Sequence, residues 1–212
     1  MNIITLEGLK GTGKSTLVEH LKKNTSFFFA PKISKEKAVL PNFLLPFKEK
    51  YSYFNRVESS LGLKYYAGFF NILSTYSQRP LFLERGLLSL PFYAYYGYYY
   101  NSESIPLNHY DLIATEVFQT ALNEYKKYNH ESTFFILEVE PSIIKKRMED
   151  RVDKIHSDTF FLDYFALCLN IKKRFENFTQ KSLSSSKFIH LKNETPEDLN
   201  RNLDIIINES KN

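Results

Sequence analysis

Eight residues near the start of the sequence, Gly8-Leu9-Lys10-Gly11-Thr12-Gly13-Lys14-Ser15, have the types and spacing of a phosphate-binding loop. Glycines at 8, 11 and 13 let the backbone fold tightly and turn successive N–H groups toward one point. A helix starting at the end of such a loop adds its positive pole, and the whole becomes a cradle for a polyphosphate. Lys14 can reach the outer phosphates as a flexible point charge, and the Ser15 hydroxyl is placed to ligate the Mg²⁺ that travels with them. The expected phosphate-binding set is Gly8, Leu9, Lys10, Gly11, Thr12, Gly13, Lys14, Ser15 and Thr16.

A second group of chemistry-bearing residues is Glu84-Arg85-Gly86, directly after the apolar run Leu81-Phe82-Leu83. Ligands of open parallel sheets bind at the carboxyl ends of the strands, which places this pair beside the phosphate loop. Glu84 could share the Mg²⁺ with Ser15 or accept a proton from an attacking hydroxyl, and Arg85 offers a planar fork to a phosphate. Taken alone, the pair would equally suit a salt bridge at a strand end. Arg147 and Arg151 are four apart and share a helix face, so a movable segment over about 147–159 could bring both to a transferring phosphoryl group. Lys145, Lys146, Glu149, Asp150 and Asp153 surround them, a composition that a solvated face would share.

The elements that must hold these residues alternate between apolar runs and helical patterns. Strands are expected at Ile3–Glu7, Ser26–Ala30, Pro80–Glu84, Thr133–Glu138 and Lys187–His190. Helices are expected after Ser15, over about 44–77 with a break near Gly62, over 88–100 and 107–128, from Pro141, over about 160–180, and from a Thr195 cap. Alternation of this kind implies a parallel sheet of about five strands with helices on both faces. The 212 residues, 43% hydrophobic, suit one domain spanning 1–212.

With 28 basic and 24 acidic residues the net charge is only +4, so a nucleic-acid surface is not required and a small polyanionic substrate fits as well. The single cysteine, Cys168, excludes an internal disulfide and a cysteine-cluster metal site. No secretory pattern and no membrane-length apolar run is present, and the expectation is a cytoplasmic protein with neither a membrane nor a nucleic-acid partner.

The order of Glu7 to Thr16, then Glu84-Arg85-Gly86 with Ser89, then Glu138-Val139-Glu140-Pro141 leading to Arg147 and Arg151, resembles the thymidylate kinases, near the deoxynucleoside kinases among P-loop nucleoside and nucleotide kinases. The likeness extends to Phe161–Phe165 with the helix to Phe178, and to Phe188–Leu191 with Thr195–Leu199. It implies a three-layer P-loop kinase fold with a helical lid and transfer of the γ-phosphoryl group of ATP, with Mg²⁺, to a nucleoside monophosphate such as thymidylate. Lys14, Glu84, Arg85, Arg147 and Arg151 would carry catalysis, with Ser15 and Glu84 at the metal.

Departures from the family pattern are specific. Lys10 stands where thymidylate kinases usually carry an acid, and Ala30-Pro31-Lys32 stands where deoxynucleoside kinases place a general base. Gly86 replaces a usual aromatic residue, and Lys64 lies near the interval at which the family has a phosphate-binding arginine. Two alternatives therefore stay open beside the monophosphate reading: a deoxynucleoside kinase acting on a sugar hydroxyl, and a degenerate nucleotide-binding protein without transfer. A nucleotide-dependent switch is a further rival, although no Asn-Lys-x-Asp guanine-reading motif occurs.

Aromatic residues are abundant, with 15 Tyr and 19 Phe. The run Pro91–Tyr100 cannot turn all its tyrosines into one pocket, because a helix spreads them around its circumference. One or two of Phe69, Phe70, Tyr93 and Tyr96 are expected to touch the acceptor base together with Lys64 and Arg85 at its phosphate, and an exposed remainder would favour a homodimer, as in the resembled family. The five histidines show no metal-ligand spacing.

Overall fold

The computed structural model describes residues 2–31, 39–50, 56–76, 80–92, 107–128, 131–150 and 158–210, with side chains at 56–61, 107 and 158–164 left aside. Its centre is a four-stranded sheet: β1 (Asn2–Glu7), β2 (Leu81–Glu84), β3 (Glu131–Glu138) and β4 (Lys187–Lys192), in the spatial order β2-β1-β3-β4. Every pairing is parallel, with Ile3 opposite Leu81 on one side and Ser132 on the other. Strands buried on both faces read as near-continuous apolar runs, and Leu81-Phe82-Leu83 and Phe134-Phe135-Ile136-Leu137 do so.

The expected fifth strand is present only in part. Phe82 donates its N–H to Phe28 O and accepts the Ala30 N–H at its own oxygen, both at 2.9 Å, which forms one parallel bridge beside β2 and no ladder. Rings hold this segment where main-chain bonds do not: Phe27 stacks on Phe82 at 5.9 Å and Phe29 tilts against it at 4.9 Å.

The helices are α1 (Lys14–Asn24), α2 (Leu45–Lys50), α3 (Arg56–Tyr76), α4 (Leu107–Tyr128), α5 (Pro141–Glu149), α6 (Asp158–Ser182) and α7 (Pro196–Glu209). Alternation along β1 sends Ile3 to one face and Ile4 and Leu6 to the other. On the first face Leu63, Tyr66, Phe69 and Leu73 of α3, Phe118 and Tyr125 of α4 and Phe175 of α6 form the larger core. On the second, Leu17, Val18 and Leu21 of α1 meet Leu203 and Ile206 of α7. Helix α3 runs through Gly62 without the expected break. A helical glycine costs only about 1 kcal/mol, which burial of the apolar stripe that follows outweighs.

β1 is the switch point of the sheet. The chain moves outward to β2 on one side and to β3 and β4 on the other, which opens a crevice at the carboxyl end of β1. Among the described residues no helix is long and apolar enough to cross a membrane.

Candidate functional site

The loop after β1 fills that crevice. At Gly13, the residue before α1, φ is +89°, a left-handed conformation that only glycine adopts freely, and the chain there turns from loop to helix with no side chain capping the first turn. Lys14 is buried at 4% exposure, and its ammonium donates to Gly8 O at 2.7 Å, Leu9 O at 2.6 Å and Thr12 Oγ1 at 3.3 Å. The lysine thus folds back on the loop's own oxygens, a charge held ready inside the cradle. Leu9 anchors the loop in a small apolar cluster with Ile144 and Met148 of α5 and Phe165 and Cys168 of α6.

Ser15 is exposed on the first turn of α1, and its hydroxyl donates to Glu84 Oε1 at 2.6 Å. Two hard oxygen donors at the rim of a phosphate loop fit Mg²⁺, which takes few protein ligands and draws others from phosphates and water. Among the described residues no group of three or more His, Cys, Asp or Glu side chains is arranged to hold a metal ion. Arg85 follows with φ 72°, the only left-handed non-glycine among the described residues. Such a conformation costs about 1–3 kcal/mol and persists where the surroundings enforce it.

Those surroundings are visible. The Arg85 N–H bonds to Leu6 O at 3.0 Å. The next residues converge on Glu7 of β1, which is 1% exposed: Oε1 accepts the N–H groups of Gly86 at 3.0 Å and Leu88 at 3.2 Å, and Oε2 accepts the Ser89 hydroxyl. Glycine at 86 is a matter of space, since a Cβ there would lie 2.6 Å from Thr5 Cγ2 and 2.9 Å from Glu7 Oε1. Burial pushes the Glu7 carboxyl above the ordinary range, against the pull of these donors and of the Lys14 charge.

Arg147 on α5 also reaches the loop. Its guanidinium donates to Gly11 O at 3.4 Å, Asn193 O at 3.0 Å and Glu194 O at 2.9 Å. Asn193, 5% exposed, completes the tie by donating Nδ2 to Thr12 O at 2.7 Å, while Asn202 donates to Asn193 Oδ1 at 3.3 Å. An open cleft of about 380 Å³ lies alongside, lined by Gly13, Thr16, Arg147, Asp150, Pro196 and Leu199 among others.

The structure brings Gly8 to Thr16, Glu84, Arg85 and Arg147 to the carboxyl edge of the sheet. Phe69 and Phe70, expected at the acceptor base, are core side chains at 0% and 3% exposure, packed against Tyr125, Tyr128 and Phe43. Lys64 is exposed on α3. Arg151, Tyr93, Tyr96 and most of the expected lid lie outside the described residues. Sequence reasoning missed Glu7 and Asn193 as site residues; the one available signal was a carboxylate in the last position of a strand whose inner positions are Ile3, Ile4, Thr5 and Leu6.

No protein-family model matches the sequence, and no curated protein matches it. Solved structures do. Deoxyadenosine kinase from M. mycoides with bound dATP superposes with TM-score 0.63 at 15% identity, covering 99% of this chain and 100% of the other. The YorR protein of Bacillus subtilis in complex with phosphorylated GDP gives 0.57 at 16% identity, covering 99% of this chain and 95% of that one. Thymidylate kinase from Candida albicans gives 0.56 at 15% identity, covering 99% and 92%. The chain therefore shares the fold of these three structures along nearly its whole length.

Proposed function

We propose that this chain is a P-loop phosphotransferase that moves the γ-phosphoryl group of ATP to a nucleoside monophosphate or a nucleoside-like acceptor. The observation that carries the reading is the juxtaposition at the switch point: a glycine-rich loop with its buried lysine folded onto the loop's own oxygens, and one hydrogen bond away from Ser15 a strand-end Glu84-Arg85 pair. The fold shared with nucleoside and nucleotide kinases supports it.

In this reading the loop amides and Lys14 hold the β- and γ-phosphates, and the ammonium exchanges its bonds to Gly8 O and Leu9 O for phosphate oxygens. Ser15 and Glu84 are the residues that would hold Mg²⁺, which would supply charge to neutralise the phosphates. The cleft beside Gly13 and Thr16 takes the donor nucleoside, with Arg147 as one wall and Pro196 and Leu199 as the other. Arg85 faces the acceptor. The chemistry is alignment and charge compensation, so a phosphate acceptor needs no strong base. If the acceptor is a sugar hydroxyl, Glu84 is the carboxylate placed to take its proton.

Arg151 and the segment 147–159 as a lid, a single catalytic domain, a homodimer and a cytoplasmic setting belong to the same reading. The deciding experiment is a panel of thymidylate, the other monophosphates and free nucleosides with ATP and Mg²⁺, with products identified by mass. Transfer to one of them is expected, and where the acceptor is a hydroxyl Glu84→Gln should lose turnover while keeping ATP affinity. ATP bound without any phosphorylated product across the panel would overturn the proposal.

A further inference from the structure

We infer that Glu7 is a positioning residue for the acceptor half of the site: it holds the strand-end turn 85–89 in the shape that presents Arg85. The inference rests on the phosphotransferase reading. Glu7 belongs by sequence to the donor side, since it is the last residue of β1 before the phosphate loop, yet its carboxylate contacts lie across the crevice. A turn whose first residue is left-handed does not hold itself, and here two consecutive anchors enforce it. The Arg85 N–H is fixed on Leu6 O, and the Gly86 and Leu88 N–H groups with the Ser89 hydroxyl are fixed on Glu7.

Residues 6 and 7 of one strand therefore determine where the Arg85 side chain starts. A buried acceptor with three donors aimed at it is costly to leave unmade, which is why this turn should respond sharply to the identity of residue 7. The Lys14 ammonium acts on the same carboxyl through its charge, so one side chain joins the lysine of the cradle to the arginine of the acceptor side.

The test compares three variants. Glu7→Leu keeps bulk and removes the acceptors, and Glu7→Gln keeps an oxygen for both amides and an NH₂ group for the Ser89 oxygen. Ser89→Ala removes one donor of three and is the variant to rely on if Glu7→Leu does not fold. Expected are a loss of about 100-fold in kcat/KM for the acceptor in Glu7→Leu and about 5-fold in Ser89→Ala, with MgATP affinity within about 3-fold of wild type and Glu7→Gln restoring most of the loss. In an Arg85→Ala background, Ser89→Ala should have no further effect on transfer, because both act through one group.

Hydrogen exchange of the backbone over 85–89 should quicken in Glu7→Leu and Ser89→Ala while residues 8–16 keep their protection, a readout that needs no turnover. If no acceptor is found but exchange changes in this pattern, the functional reading fails and the positioning survives. Equal losses for donor and acceptor, full additivity with Arg85→Ala, or unchanged exchange over 85–89 would each overturn the inference.

Discussion

Helices α1 and α7 begin beside the same cleft and end their first turns in opposite ways. At α7, Thr195 accepts the Asp198 N–H at 3.1 Å, and Asp198 Oδ2 accepts the N–H groups of Thr195 at 3.2 Å and Glu194 at 2.9 Å. Pro196 removes one donor, and Glu197 and Asp198 place negative charge at the positive pole. At α1 there is no side-chain cap and no acid in the first turn. A helix start leaves several N–H groups without intrahelical partners. One of these helices closes that deficit from its own sequence, and the other carries it, with a buried lysine, to the edge of the crevice. The capped end serves stability, and the uncapped end is the one suited to an anion.

The contrast can be broken most directly at Lys14. Lys14→Ala should raise the MgATP dissociation constant about 100-fold in calorimetry, in line with loss of a charge-assisted phosphate contact. Unchanged affinity would mean that the uncapped end is not the anion site. Next in size is Gly13→Ala, which forces a Cβ to 2.6 Å from Asn193 Nδ2 at a left-handed backbone position. A loss of about 2 kcal/mol in denaturant unfolding is expected, together with a weaker thermal shift by MgATP.

On the capped side the effects are smaller. Thr195→Ala should cost about 1 kcal/mol in denaturant unfolding. The least effect is in pH dependence, where two carboxyls differ in sign. The N–H of Glu194 leads in holding Asp198 below its ordinary value of 3.8, with Thr195 N–H and Arg201 helping and burial opposing. Its contribution is present above that value and lost as pH falls through the lower folded-state value, and Asp198→Asn should flatten that loss. Glu7 is raised above 4.5 by burial, so its contribution is greatest at low pH and is lost as pH rises through the raised value; Glu7→Gln should remove this slope. Both are read from melting temperature against pH.

The loop after β1 and the start of α7 were legible because they are local. Eight contiguous residues specify the glycine-rich loop, and Thr195-Pro196-Glu197-Asp198 announce the start of α7 within four. Glu84 and Arg85 were legible through one topological rule about strand ends. Glu7 was not, because its partner Ser89 is 82 residues away, and Asn193 reaches Thr12 across 181. Phe69 and Phe70 carry the residue types of a base pocket, but only the packing of α3 against α4 put them in the core. The segment over 26–30 reads as a strand by composition, and ring packing on Phe82 left it a single bridge.

By itself the sequence determined that a glycine-rich loop with phosphate-binding spacing lies between a strand and a helix in an alternating α/β chain, because backbone conformation and hydrogen-bonding capacity follow from neighbouring residues. The tertiary structure alone decided that β1 is the switch point, that Glu7 and Leu6 hold the turn at Arg85, and that Arg147 and Asn193 tie the loop to the cleft beside α7. These contacts depend on which distant segments the sheet order brings within hydrogen-bonding distance, and no local pattern encodes that.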